Sequence, residues 1–123
     1  MKDFRKLEVW QKAHGLVLSV YGETASFPKE EIYGLTAQLR RAAYSVPANI
    51  VEGSARKTQK DYLHFLYIAR GSLSESQYFL HLARRLGFMP ADKFAELENQ
   101  ARQAFACLHG LIQAVEKQAA KVL

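Results

Sequence analysis

A chain of 123 residues, 49% hydrophobic and 24% charged, has room for one domain over residues 1–123 and not for two of ordinary size. Folding at this length buries roughly two thirds of the surface an unfolded chain exposes, so no staple is needed; the single Cys107 excludes an internal disulfide and suits a reducing compartment. The net charge of +5 favours polyanions without identifying one, and it is concentrated mid-chain: residues 28–57 and 58–89 carry +2 each, residues 1–27 carry +1 and residues 90–123 carry zero.

The opening MKDFRKLEVW is charged and lacks the apolar run of a signal peptide. From about residue 7 to 25, Trp10, Ala13, Val17, Val20 and Thr24 recur at helical spacing, with Leu16 and Tyr21 beside them. Phe27-Pro28 ends that first helix, because proline disfavours a helical residue before it.

The second helix is expected from about residue 32 to 53. Its apolar positions Leu39, Ala42, Ala43, Val46 and Ile50 keep their spacing straight through Pro47. Proline removes the hydrogen bond to the Ala43 carbonyl and its ring crowds that oxygen, so the expectation is a continuous helix kinked at Pro47 rather than two helices. Ser45 and Asn49 lie close enough to help satisfy backbone groups there. Gly53 is placed to end the helix in a left-handed cap, before Arg56 and Lys57.

Thr58, with Asp61 three residues on, is a variant of the capping box and starts a third helix. Its seam runs Tyr62, Leu66, Ala69, Leu73, Leu80 and Ala83, and Gly87 stops it. After Pro90 a fourth helix carries a heptad-like seam of Phe94, Leu97, Ala101, Ala104, Leu108, Leu111 and Val115. Short connections make consecutive helices antiparallel, so the fold class is an all-α, up-down-up-down four-helix bundle. No charge-free run approaches the ~18 residues of a membrane helix, and the expected location is cytoplasmic.

Helices two and three are more apolar than one buried stripe requires. From Tyr62 to Ala69 every residue but His64 is apolar or aromatic. Either these helices are simply central, or a second face is buried in a homo-oligomer; the second reading fits the rarity of large exposed apolar patches on monomers. Gly71, spaced from Tyr67, Glu75 and Tyr78 on that face, permits close helix approach.

Signatures of catalysis are missing from the sequence: there is no phosphate loop, dinucleotide fingerprint, nucleophile elbow or H-E-x-x-H. His14, His64, His81 and His109 never fall three or four apart. The expectation is a protein that is not an enzyme and uses no metal or cofactor. Arg56, Lys57, Arg84 and Arg85 sit at helix C-terminal ends, the last two in the final turn of the third helix, where cations complement the dipole. Arg40 and Arg41 lie inside a helix. Arg41 can pair with Ser45 or flank the seam, and Arg40 beside Tyr44 suits phosphate contact and stacking as well as it suits a subunit interface.

VWQKAH (9–14), YGLTAQLRRAAYSVPANIVEG (33–53) and DYLHFLYIARGSLSES (61–76) closely resemble the small proteins encoded in intervening sequences of bacterial 23S rRNA genes. The resemblance implies four-helix bundles assembling as homopentameric rings. It also implies a relation to the accessory variability proteins of diversity-generating retroelements, basic pentameric barrels that bind a reverse transcriptase and nucleic acid. Arg40 and Arg41 match the family's paired arginines, and Pro47, Asn49, Glu52 and Gly53 its helix-two signature. Glu75 matches a recurring acid, while Ser76-Gln77 depart from residues that are often more apolar or acidic.

The resulting expectation is a non-enzymatic, oligomeric accessory protein that binds structured RNA or RNA/DNA through Arg40, Arg41, Arg56, Lys57 and Lys60. Its subunit contacts would be made by Tyr44, Tyr67, Gly71, Glu75 and Tyr78. The alternative is a scaffold recruiting a protein partner, such as a reverse transcriptase, without touching nucleic acid.

Overall fold

Apolar residues recurring every three or four positions leave each long helix one stripe to bury. Four such stripes close on one another in the computed structural model, which describes residues 3–121. After a short 3-10 turn at Phe4–Lys6 come α1 (Glu8–Thr24), a second 3-10 turn (Lys29–Glu31), α2 (Leu35–Ser54), α3 (Gln59–Arg85) and α4 (Ala91–Lys121). The described residues contain no strand.

Helices neighbouring in sequence pack on each other, α4 closes the cycle against α1, and the diagonal pairs stay apart. The α2–α3 seam is the most extensive. Its register is antiparallel: Ser45 meets Ser72 (Oγ–Oγ 2.9 Å), and Gly53 lies against Tyr62 and Phe65. The α1–α2 and α3–α4 connections share one end of the bundle, where Phe27 and Phe88 pack with ring centroids 5.8 Å apart. The α2–α3 connection lies at the other end.

Leu16, Leu39, Ile50, Leu66, Leu73, Leu80, Leu97, Leu108 and Ile112 are almost wholly removed from solvent. Each contributes about 1.5–3 kcal/mol relative to an exposed side chain. The stripes differ slightly from expectation. In α1 the core line is Val9, Ala13, Leu16, Val20 and Thr24, with Trp10 and Val17 half-buried at its edge. In α4, Ile112 is buried and Leu111 flanks it; after Leu108 the helical advance brings the residue four on, not three on, back to the core.

Helix limits show which local signals hold. Thr58 caps α3, its Oγ1 accepting the Asp61 N–H at 3.1 Å. Gly87 stops that helix in the left-handed region at φ 79°. The Gly87 N–H then donates to the Arg84 carbonyl and the Phe88 N–H to the Ala83 carbonyl, which makes a Schellman ending. Helix two starts at Leu35 rather than near residue 32, because the Glu31 carboxylate accepts the Leu35 N–H at 2.9 Å.

The expected cap at Gly53 is corrected. Gly53 is buried within α2, Gly87 is the one described residue with positive φ, and α2 ends at Ser54 with Ala55 as its cap. A Cβ at Gly53 would stand 2.9 Å from both the Phe65 Cβ and the Tyr62 Cδ1. Packing against α3, not chain reversal, requires the glycine. Pro47 is buried inside the same unbroken helix. The Asn49 amide donates to the Ser45 carbonyl (2.8 Å) and to Ser45 Oγ (3.0 Å), joining α2's polar groups to Ser72.

Candidate interaction surfaces

Arg40 and Arg41 are adjacent in sequence but about 100° apart around α2, and they do different things. Arg40 turns to α1: its Nε donates to Thr24 Oγ1 at 2.8 Å, and its guanidinium lies 4.5 Å from the centre of the Tyr21 ring. Thr24 in turn donates to the Val20 carbonyl at 2.7 Å, so this clasp is built into the α1–α2 seam. The aromatic partner of Arg40 is therefore Tyr21, not the expected Tyr44. Arg41 is exposed and makes no hydrogen bond or ion pair among the described residues. Ser45, its expected partner, is taken by Asn49 and Ser72.

Arg56 is also engaged within the chain. It pairs with Glu52 and lies 4.6 Å over the Phe65 ring. Lys57 and Lys60 are exposed. They stand at the mouth of an open cleft of about 710 Å³ that continues over Leu63 to Ala119 and Ala120 of α4. Of the five expected nucleic-acid contacts, Arg41, Lys57 and Lys60 are unengaged among the described residues, and Arg41 is more than three helical turns from the end of α2 that leads to the other two.

The expected subunit contacts occupy two faces. Tyr67, Gly71 and Tyr78 follow one another along the outer side of α3, with exposed Glu75 beside them. Gly71 is exposed, and a Cβ there would meet nothing within 4 Å. The Tyr67 hydroxyl donates to Glu116 Oε2 at 2.6 Å, which holds its phenol above the ordinary tyrosine range. Arg70 lies 5.0 Å over the same ring. Tyr44 stands apart: one turn from Arg40, it lies toward the α1 side of α2. Nearby on α1 are exposed Tyr21 and Leu18, the latter 61% exposed. Half-exposed Ile68 of α3 belongs to the Tyr62–Ala69 run whose apolar surplus is the signal for a second face, whereas Leu18 does not stand out because it continues the apolar run of Leu16 and Val17 in sequence.

The described residues contain no group of three or more His, Cys, Asp or Glu side chains able to hold a metal ion. Burial, then the nearby Glu8, push the Cys107 thiol above its usual range, which lowers its thiolate fraction at neutral pH. No described helix is long and apolar enough to cross a membrane.

The family model described as 23S rRNA-intervening sequence protein matches residues 5–110. The fold is similar to the crystal structure of a protein of unknown function from the S23 ribosomal protein family of Bacteroides thetaiotaomicron VPI-5482. That likeness has a TM-score of 0.78 at 20% identity, covering 85% of this chain and 95% of the other. A search of curated proteins finds no match.

Proposed function

This chain belongs to the 23S rRNA-intervening sequence protein family, and we propose that it is a non-enzymatic accessory protein that self-associates and binds nucleic acid from the cytoplasm. The observation carrying this reading is the outer face of α3. Tyr78 is 58% exposed, Tyr67 is exposed, and Gly71 between them has no neighbour within the subunit to justify its destabilisation of the helix, about 1 kcal/mol relative to alanine. A second copy supplies that neighbour.

A closed ring uses two different patches, one per side of each subunit. The α3 face and the Leu18–Tyr21–Tyr44 face form such a pair, which favours the homopentamer over a two-fold dimer. In this reading Pro47 kinks α2 and sets the curvature that presents the second patch. Self-association then multiplies weak phosphate contacts into useful avidity. The relation to retroelement accessory proteins belongs to the same proposal.

The engagement of Arg40 by Thr24 and Tyr21 favours a second reading. With one of the paired arginines withdrawn, the aromatic faces serve as a scaffold for a protein partner such as a reverse transcriptase. Fluorescence anisotropy of a labelled structured RNA across a salt series separates the two. The accessory reading predicts log affinity falling linearly with log salt, by about 0.7–0.9 per phosphate contact. Absence of binding at low salt leaves the scaffold.

A further inference from the structure

The charged side chains are divided unequally between the two ends of the bundle. At the end holding the α2–α3 connection, the first 3-10 turn, the end of α2, the start of α3 and the end of α4 meet. Three of its cations are already neutralised: Arg5 by Asp3, Lys12 by Glu8 and Arg56 by Glu52. Lys6, Lys57, Lys60, Lys117 and Lys121 are exposed and form no ion pair among the described residues, against two remaining acids, Asp61 and Glu116, the latter accepting from the Tyr67 hydroxyl. The opposite end differs. Its α1–α2 connection carries Glu23, Glu30 and Glu31 against Lys29, and its α3–α4 connection carries Arg84 and Arg85 against Asp92, beside exposed Leu86, so acids there offset the cations.

We infer that the lysine end, rather than the helix sides, is where a nucleic acid's phosphate backbone docks, and that the contact is independent of base sequence. This rests on the nucleic-acid reading above and adds to it the surface and the mode of recognition. Lysine is a compact point charge without the planar fork that reads base edges, so five lysines supply attraction and little discrimination. The two apolar faces lie on the helix sides, and covering them in an assembly leaves the ends open. The cleft between Lys57, Lys60 and α4 gives the backbone a track across this end.

An anionic membrane is the less suitable partner. Surfaces that sit on lipid combine lysines with large exposed apolar side chains. Here such side chains lie along the helix sides or at the opposite end, as with Ile32 and Tyr33.

The test compares Lys57→Gln/Lys60→Gln/Lys117→Gln with Arg41→Gln, each checked for native helicity by circular dichroism. Binding to two short RNA duplexes of unrelated sequence is followed by anisotropy across a salt series, with vesicles containing phosphatidylserine as a separate probe. The inference predicts that the triple variant loses about 2–3 units of salt slope, at about 0.7–0.9 per lysine, and weakens equally on both duplexes. Arg41→Gln then matches the parent chain. Binding that survives in the triple variant but collapses in Arg41→Gln overturns the docking face and leaves the nucleic-acid reading intact. Marked preference for one duplex overturns sequence independence. Loss of vesicle binding in the triple variant, with RNA binding unchanged, assigns the end to a membrane. Failure of the parent chain to bind RNA at low salt overturns both readings.

Discussion

Gly53 is held so closely against Phe65 and Tyr62 that one added methyl group has no space. The nearest atom, the Phe65 Cβ at 2.9 Å, is fixed to the α3 backbone, so relief requires the helices to part. Gly53→Ala is expected to lower stability by about 1–3 kcal/mol, the usual range for overpacking, read as a lower thermal midpoint with helicity retained. An unchanged midpoint would mean that the α2–α3 approach is looser than described. Gly71→Ala has the opposite expectation within the subunit, because nothing stands within 4 Å. It gains up to about 1 kcal/mol of helix propensity, while self-association through the α3 face weakens. Two glycines inside helices thus serve different surfaces. Gly53 misleads in sequence because a glycine followed by Arg56 and Lys57 looks the same at a helix end as at a close crossing. Arg40 was obscure for a related reason, since Thr24 and Tyr21 lie on another helix.

At the level of elements, the helices were legible because their signals are local. Stripe spacing predicted all four, Thr58 announced the start of α3, and Gly87 announced its end. Thr58→Ala removes the acceptor of the Asp61 N–H and is expected to cost about 1 kcal/mol, measured by denaturant midpoint at constant slope. A neutral result would show that solvent replaces the cap. What remained illegible depends on side chains reaching between segments. Glu31 caps α2 from outside the helix and so moves its start to Leu35. Asn49 donates to the Ser45 carbonyl, and Ser45 in turn meets Ser72 across the seam, so the polar groups near Pro47 are connected through α3 as well as along α2.

The whole molecule presents two apolar faces on its sides and unequal charge at its ends. Neither property belongs to a single segment. The lysine end draws on residues from Lys6 to Lys121, which is why counts along the chain do not reveal it. In the proposed reading the surfaces have different tasks: helix sides for contact with further copies, one end for a polyanion. Self-association comes first in this account, because it accounts for Gly71 and for the exposed tyrosines and supplies the avidity that the binding reading uses. The most direct test is the mass of the parent chain in solution by size-exclusion chromatography with light scattering. The account predicts a discrete species several times the 13.9 kDa subunit, about 70 kDa for a ring of five. A single 13.9 kDa species at every concentration tested would contradict it.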